Sequence, residues 1–491
     1  MKSVLTISLL VLLTVNSFSQ DDTIQIIQEV EIIEYNPNNL VNPDFLFKQL
    51  KNTSAGITQN VDLFLEYFTN ANVKNYGVNG TATISLDGLN PQHTQVFWNG
   101  IPVNTATIGI ADISKYPFTN NLVLDIVKST ESFKYTSSQM GGAVMMENQL
   151  KPYSGVSFTI QNGSFGYWSA DFTGYKYWDK KSDVALSLNT GFKTARNDYS
   201  YVDYSTNPIT KRSLKDANYK QFYFQPSFDW QINQQHKIQV NALYNLSERN
   251  LTSTVISPNN SAEQNDDILR ISTAWKYTVG KWVNYTNIGY AFDNLNYIDF
   301  SGEFINVQSN YKVNKLVLNE SISYQNQTHN FNIGGNFWLD NASGFSLSTT
   351  NVFHGGLFAI YRNEIVPKYW NLSASIRTDF HSETDNGIAG NLSIDGQPIK
   401  TLPIKIKFAA LRNNKFPSIN DLYFKPSGNI NLEKESSWQI NTEIYSEKRF
   451  DLKKTGLVKL QFNAEGYSIW LKDMIVWVPT NKIYWQPINL T

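Results

Sequence analysis

Residues 184–193 read Val-Ala-Leu-Ser-Leu-Asn-Thr-Gly-Phe-Lys, a run in which large side chains alternate with small or polar ones. Successive side chains of a β-strand point to opposite faces, so one face of this run is apolar and the other polar. The same period of two recurs in residues 238–246 and 438–445. Beyond about residue 155 such runs follow one another between clusters of Asn, Gly, Asp and Ser, which predicts a mainly β structure.

The length of these runs separates a membrane protein from a soluble one. A soluble β-sandwich also alternates apolar and polar residues, but ordinary strands average roughly 5–6 residues. Many runs here reach roughly 10 residues, the length that a tilted strand needs to cross a bilayer. The sequence therefore predicts a transmembrane antiparallel β-barrel with roughly 15 strands, within about two because strand boundaries are difficult to place.

Composition agrees with a barrel. Aromatic residues make up 14% of the 491 residues, while a mean hydropathy of -0.35 is too polar for a helical membrane protein. Cysteine is absent, which excludes disulfides and thiolate metal sites. A formal net charge of -1 gives no basic field for nucleic acid, so nucleic acid is not an expected partner.

The first residues predict export. Lys2 is followed by an apolar run at residues 5–15 and by Ser17-Phe18-Ser19, the pattern of a cleaved signal peptide. The alternative, a transmembrane helix, needs roughly 20 apolar residues. We predict a signal peptide at 1–19, a flexible segment at 20–45, a small α+β domain at 46–150 and the barrel at 151–491. Within the small domain a helix is expected at 61–69, with Asn60 as its cap.

The small domain carries a recognisable series of motifs. Residues 81–88 read Thr-Ala-Thr-Ile-Ser-Leu-Asp-Gly, and residues 92–104 read Gln-His-Thr-Gln-Val-Phe-Trp-Asn-Gly-Ile-Pro-Val-Asn. Asn99-Gly100 is a strong hairpin signal, and Gly141-Gly142, which follows Tyr135, allows tight backbone packing. This series, with Gly109 and Asp112 in between, resembles the plug domain of TonB-dependent outer-membrane receptors.

A second match lies in the barrel. Phe408-Ala-Ala-Leu-Arg, then residues 416–423 (Phe-Pro-Ser-Ile-Asn-Asp-Leu-Tyr) and 428–435 (Gly-Asn-Ile-Asn-Leu-Glu-Lys-Glu), resemble a loop and strand start of the same family. Two departures stand out. The family usually has Arg-Gly in place of Asp87-Gly88 and a glycine-rich segment in place of 129–134, which implies altered ligand chemistry or a plug that has drifted from its ancestral role.

The resemblance implies energised uptake across the outer membrane of a Gram-negative cell. Its expected partners are the TonB energy-transducing protein, outer-membrane lipid and a scarce nutrient such as cobalamin or a ferric siderophore. Strand addition to TonB would use the β-branched segment 23–34, with the contacts Ile24, Ile26, Glu29, Val30 and Ile32. A plain linker is the alternative reading of that segment. The plug motif residues His93, Trp98, Asn99 and Gly100 are candidates to face the ligand, with buried packing as the other reading.

The resemblance also implies a longer barrel. Family barrels close with 22 strands and usually finish on a strand with a terminal aromatic residue, whereas this sequence ends at Thr491. We expect a C-terminal truncation of about 130 residues, estimated from strand and loop lengths.

Catalytic chemistry is not indicated. The five histidines are scattered, and no nucleophile elbow, zinc-protease helix or phosphate loop occurs, so we predict no enzyme activity, cofactor or metal. Asp266-Asp267 and Asp171 are weak calcium candidates. The aromatic residues Trp168, Tyr175, Tyr177 and Trp178 are expected in an interface girdle rather than a ligand cage. Two rival functions stay open: a passive channel or surface-binding protein whose plug no longer couples to TonB, and a barrel enzyme.

Overall fold

The computed structural model describes twelve stretches of the chain. They are residues 50–51, 59–69, 71–76, 80–150, 152–178, 183–204, 206–251, 262–299, 307–326, 328–452, 456–480 and 484–490. All of them belong to one compact unit, Leu40–Thr491. The predicted signal peptide and the segment 20–45 lie outside the described residues.

The described residues between 50 and 148 form a small α+β body, called the plug below. Its five-stranded sheet has the order β1-β8-β9-β5-β6, and the pairs β2-β7 and β3-β4 lie beside it. Its elements are β1 (Leu50–Lys51), β2 (Gln59–Asn60), α1 (Val61–Phe68), β3 (Asn72–Asn75), β4 (Ala82–Ser85), β5 (Thr94–Trp98), β6 (Ile101–Pro102), β7 (Pro117–Phe118), β8 (Leu122–Val127) and β9 (Gly142–Asn148).

Helix α1 begins where the sequence predicts but is capped differently. Asn60 occupies the N-cap position, yet its side chain makes no cap hydrogen bond. Instead its Oδ1 accepts from Nζ of Lys193, 2.9 Å away in the large sheet. The capping expectation is therefore wrong, because a buried lysine competes for the amide oxygen. Val61 and Leu65, four residues apart, bury the inner face of the helix.

The two glycine motifs of the plug adopt the predicted geometry. Asn99 and Gly100 have φ of 44° and 82° between β5 and β6, as a two-residue hairpin turn of the primed kind requires. A Cβ on Gly141 would lie 2.7 Å from the carbonyl oxygen of Leu86. The hairpin and the close packing are both confirmed.

A 15-stranded antiparallel sheet, called the wall below, makes up most of the chain. Its order follows the sequence, β10-β11-β12-β15 and then consecutively to β26, so every step is a hairpin or loop between neighbours. The remaining elements are β10 (Gly155–Asn162), β11 (Trp168–Trp178), β12 (Asp183–Ala195), β13 (Ser200–Asp203), β14 (Thr210–Ser213), β15 (Tyr219–Gln231), β16 (His236–Leu251), β17 (Ala262–Val279), β18 (Trp282–Asp299), β19 (Val307–Gln325), β20 (His329–Gly344), β21 (Leu347–Val366), β22 (Trp370–His381), β23 (Thr384–Gly396), β24 (Ile404–Lys415), α2 (Ile419–Tyr423), β25 (Glu435–Leu452), β26 (Gly456–Lys472), β27 (Met474–Pro479) and β28 (Trp485–Leu490).

The wall is apolar on its outer face and polar on its inner face. In β12, Leu186 and Phe192 are 41% and 39% exposed, whereas Asn189 and Lys193 are 0% and 1% exposed. The same inversion holds in β25, where Trp438 is 60% and Gln439 is 1% exposed. Water would favour the opposite arrangement, so the outer face is built for lipid. The predicted fold class and strand number are confirmed.

The two ends of the wall differ. At one end the connections are short, such as residues 280–281 and 367–369. At the other, called the loop end below, residues 196–218 carry the hairpin β13-β14, residues 416–434 carry α2, and the hairpin β27-β28 follows β26. None of the helices in the described stretches has the length and apolarity to cross a bilayer.

Candidate functional site

The plug and the wall share a buried interface, and His93 lies at its loop end. The side chains of His93 and Glu435 are both 0% exposed, and the His93 Nε2 is 2.7 Å from Oε2 of Glu435, the first residue of β25. Oε1 of the same carboxylate accepts from Nζ of Lys415 at 2.8 Å and from the backbone N of Ile475 at 3.2 Å. One buried carboxylate therefore joins the plug, the wall and the hairpin β27-β28.

The Trp-Asn-Gly turn packs against the middle of the wall. Trp98 is 1% exposed and belongs to the plug core. The carbonyl oxygen of Asn99 accepts from Oγ of Ser272 at 2.7 Å, and that of Gly100 accepts from Nδ2 of Asn319 at 3.0 Å. The structure thus places the sequence-predicted group inside the plug–wall interface, and its ligand-facing role stays a prediction.

A network of four charges joins the plug to β16 and β17. Nη2 of Arg249 lies 2.7 Å from Oδ2 of Asp112 and 3.1 Å from Oδ2 of Asp266, and Nζ of Lys115 lies 2.7 Å from Oδ1 of Asp266. Burial opposes ionisation of Asp112, but Arg249 and Lys115 beside it hold the pKa of its carboxyl below the ordinary value. Each charge is thus compensated, as a buried ion network requires.

A second network carries an excess of acid. Nζ of Lys128 lies 2.9 Å from Oε1 of Glu443 and 2.7 Å from Oε2 of Glu465. Asp87, where the family usually has arginine, is next to this group. Burial and the nearby Glu465 raise the pKa of the Asp87 carboxyl to about 7, although Lys128 acts in the other direction. Where the family usually has a cationic arginine, this chain has Asp87. Three carboxyl groups, those of Asp87, Glu443 and Glu465, therefore surround Lys128.

The second departure, at 129–134, is also an attachment to the wall. Residues Ser129–Lys134 form a 3-10 helix. Nζ of Lys407 donates to Oγ1 of Thr130 at 3.1 Å, and Nη1 of Arg377 donates to the carbonyl oxygen of Phe133 at 3.2 Å. Two cations of the wall thus hold a segment for which the sequence suggested altered ligand chemistry or a plug that has drifted from its ancestral role.

The barrel motif at 416–423 covers the plug from the loop end. A capping box between Ser418 and Asp421 starts α2. The free backbone N–H groups of its first turn then donate to the plug: Ile419 to the carbonyl oxygen of Ala106 at 3.0 Å, and Asn420 to that of Thr107 at 2.9 Å. The loop therefore contacts the plug directly.

A compact plug held inside a wall with a polar inner and an apolar outer face is the architecture that the motifs predicted. The family model described as TonB-dependent Receptor Plug Domain matches residues 48–143. Residues 48–143 thus match the plug domain of the TonB-dependent receptors, and the whole chain is similar to these receptors.

Curated relatives show the same similarity. The chain is 23% identical over 432 residues to the vitamin B12 transporter BtuB of Photobacterium profundum, covering 84% of this chain and 65% of that protein. It is 24% identical over 430 residues to the corresponding protein of Vibrio vulnificus, covering 83% and 64%. The chain thus spans just under two thirds of the length of these relatives.

Two solved structures share the fold. The copper transporter OprC matches with a TM-score of 0.70 and 13% identity, over 88% of this chain and 72% of that one. The ferric enterobactin receptor PfeA from Pseudomonas aeruginosa matches with a TM-score of 0.64 and 13% identity, over 88% and 73%. The chain lies in the outer membrane, where barrels place short turns toward the periplasm and longer loops outside the cell. The loop end therefore faces the exterior.

The remaining sequence candidates divide between the two faces. Trp168 and Trp178, at the two ends of β11, are 38% and 44% exposed on the outer face, where an interface girdle belongs. Tyr175 and Tyr177 alternate with them and therefore point inward, so the girdle prediction is wrong for the tyrosines.

Two of the three calcium candidates, Asp266 and Asp171, are engaged by other side chains. Asp266 belongs to the network with Lys115 and Arg249, and Asp171 accepts from the Tyr223 hydroxyl at 2.7 Å. Within the described stretches, no group of three or more His, Cys, Asp or Glu side chains is arranged to hold a metal ion. The predicted TonB contacts Ile24, Ile26, Glu29, Val30 and Ile32 lie outside the described residues.

Sequence reasoning missed the cations of the wall. Among the described residues, five of them reach the plug from inward positions: Lys193, Arg249, Arg270, Arg377 and Lys407. Their signal was present, because each stands in the polar row of an alternating strand, where a lipid-facing charge would be costly. The alternation locates such residues on the inner face but does not identify their partners.

Proposed function

We propose that the protein is an outer-membrane receptor for energised, TonB-coupled uptake of a scarce nutrient. The observation that carries the proposal is the number of polar contacts that hold the plug within the wall, beside apolar ones such as that of Phe133 with Ala389 and Leu411. Hydrogen bonds and ion pairs, unlike an apolar core, can exchange with water when the plug moves, so the interface suits a plug that is displaced rather than one that is permanently sealed.

The proposed cargo is cobalamin or a ferric siderophore. Support comes from the curated relatives, which are vitamin B12 transporters, and from a structural neighbour that is a ferric enterobactin receptor. Plug similarity does not fix specificity, so the two cargo classes stand side by side. We do not propose an enzymatic activity.

The proposed route of coupling begins at the N-terminus. TonB would add a strand to residues 23–34, with Ile24, Ile26, Glu29, Val30 and Ile32 at the contact, and pull on the plug. Because His93 and Trp98 are 0% and 1% exposed, contact of the cargo with them or with Asn99-Gly100 would follow displacement of the plug. The proposal includes a signal peptide at 1–19, a segment at 20–45, a plug at 46–150 and a barrel at 151–491.

The alternative is a passive channel or surface-binding protein. The excess of acid around Lys128 favours it, because Asp87 departs from the family pattern at a contact between plug and wall. Such a protein would not need residues 23–34.

The test is uptake of labelled cobalamin and of ferric siderophores by cells that carry the complete gene, with and without residues 23–34. A matched control deletes an equal length from the exterior hairpin β13-β14. We expect uptake of one cargo to be lost with the N-terminal deletion and retained with the control. Uptake that is indifferent to the N-terminal deletion supports the passive alternative, and uptake of neither cargo contradicts the proposed cargo.

A further inference from the structure

A small group of polar side chains lies within the apolar outer face of the wall. Glu320 in β19 and Thr286 in β18 are directly opposite each other in the antiparallel register. Their neighbours Asn319 and Asn287 point inward, since Nδ2 of each donates to a backbone carbonyl oxygen of the Asn99-Gly100 turn. Successive side chains of a strand point to opposite faces, so Glu320 and Thr286 point outward, toward lipid.

Two neutral side chains hold the carboxylate of Glu320. Oγ1 of Thr286 donates to its Oε2 at 2.5 Å, and Nδ2 of Asn284, which also points outward from β18, donates to its Oε1. In the part of the chain that the structure describes, no Lys, Arg or His side chain pairs with Glu320. A carboxylate can accept about four hydrogen bonds, so these two leave room for further donors. Because a charge that faces lipid is costly, a cation beside this carboxylate would be stabilising.

The group lies just inside the periplasmic edge of the apolar face. Trp282 and Tyr324 are paired beside the short turn 280–281, with ring centroids 4.9 Å apart, where the aromatic girdle of a barrel meets the lipid head groups. Asn284 is two residues farther along β18, which is about 7 Å along the strand and about 5 Å in depth for a strand tilted by about 40°. The carboxylate of Glu320, held by Asn284, is therefore within reach of a head group.

The surface around the carboxylate is apolar. Leu318 and Ile322, the outward neighbours of Glu320 in β19, are 42% and 50% exposed. Gly335 is opposite Glu320 in β20, and the ring of Phe337 lies 2.8 Å from the point that a Cβ of Gly335 would occupy. Leu318 lies on the side of the bilayer midplane. An acyl chain can therefore follow this surface toward the midplane while its head group stays at the carboxylate.

We propose that Glu320, Asn284 and Thr286 bind a phospholipid of the periplasmic leaflet whose head group ends in a primary ammonium, as that of phosphatidylethanolamine does. The ammonium donates to the carboxylate oxygens, and an acyl chain packs on Leu318 and Phe337. A second copy of the chain fits this surface less well, because a two-fold contact centred here would bring two Glu320 carboxylates together. The lipid is a structural ligand and not a cargo, so the proposal does not depend on nutrient uptake.

The experiment titrates phosphatidylethanolamine into the purified full chain in detergent and counts bound lipids by native mass spectrometry. Phosphatidylcholine serves as the comparison lipid, since its trimethylated ammonium cannot donate a hydrogen bond. The variant E320Q removes the charge. The control E248Q changes another outward glutamate of the wall, one that is paired with Lys220. We expect wild type and control to bind one phosphatidylethanolamine on the order of ten-fold more tightly than phosphatidylcholine, and E320Q to lose this preference.

Three results would overturn the site. Equal affinity of the wild type for the two lipids is the first, and it needs no variant, so the proposal can be refuted even where E320Q does not fold. An unchanged preference for phosphatidylethanolamine in E320Q is the second. The third is a wild-type dimer that E320Q dissociates while lipid binding stays the same, which would assign this surface to a second copy of the chain.

Discussion

Asp87 determines the charge balance at one contact between plug and wall. Lys128 already contacts Glu443 and Glu465 at 2.9 and 2.7 Å, so a third carboxyl has no cation of its own. Burial and Glu465 raise the pKa of Asp87 from 3.8 to about 7. The folded protein therefore binds this proton more tightly than the unfolded chain does, and the stability that the proton contributes is lost as pH rises through about 7.

Replacing Asp87 with asparagine should remove this pH dependence. At about pH 3 the carboxyl is neutral in both the folded and the unfolded chain, so D87N should differ little from the wild type. At about pH 8 D87N should be more stable by on the order of 1–2 kcal/mol, because the wild type then carries the extra charge. Unfolding in detergent at both pH values checks this, with D198N, an exposed acid paired to Arg196, as control. Equal stabilisation at both pH values would contradict the assignment of the proton to Asp87.

His93 should be a stabilising contact. H93A leaves the buried carboxylate of Glu435 with Lys415 and the Ile475 amide only, and loss of a charged hydrogen bond at a buried site costs about 1–3 kcal/mol. The free energy of unfolding by urea measures the loss. H329A, at an exposed histidine, should change it by less than about 0.5 kcal/mol. Equal losses of unfolding free energy in the two variants would mean that the His93–Glu435 contact does not stabilise the folded protein.

Among the elements, the strands were the most predictable. Alternation in 184–193 fixes which side chains of β12 face outward, since a shift of one residue would turn Lys193 toward lipid. Helix α1 was placed correctly to within a residue, but its cap was wrong because Asn60 bonds Lys193 rather than its own helix. Local sequence predicts an element's type, and tertiary partners then redirect its side chains.

Helix α2 is the element that links exterior loops to the plug. Its first-turn N–H groups donate to Ala106 and Thr107, and Nε1 of Trp477 in β27 donates to Oδ1 of Asp421 at 2.8 Å. A movement of this loop would therefore be transmitted to the plug through backbone contacts.

A disulfide between α2 and the plug should block uptake if the plug must move. The native chain has no cysteine, so the pair A106C/I419C introduces the only two thiols, at residues whose backbones are hydrogen-bonded at 3.0 Å. We expect oxidation to lower uptake at least about ten-fold and a reductant to restore it. Each single-cysteine variant serves as control. Full uptake by the oxidised pair would show that cargo passes without separation of α2 from the plug.

At the scale of the whole molecule, the sequence predicted the two parts but not how they contact each other. Plug motifs and strand alternation each depend on residues close together in the chain. The contacts that join plug and wall do not, since His93 meets Glu435 and Lys193 meets Asn60 across long stretches of sequence. Periodicity indicates that Lys193 points inward. Its partner Asn60 can be identified only from the three-dimensional structure. The candidate site was therefore predictable as a set of motifs and not as a network.

The most direct test of a lipid-facing wall is to measure whether each of its faces is accessible to lipid or to water. Because the chain has no cysteine, single spin labels can be placed on neighbouring residues, L186C against S187C and W438C against Q439C, in protein reconstituted into lipid. Labels at 186 and 438 should be reached by oxygen dissolved in the bilayer and not by a water-soluble nickel complex. Labels at 187 and 439, which lie against the plug, should be shielded from oxygen. Equal access of the nickel complex to both members of a pair would contradict a lipid-facing wall that holds a plug.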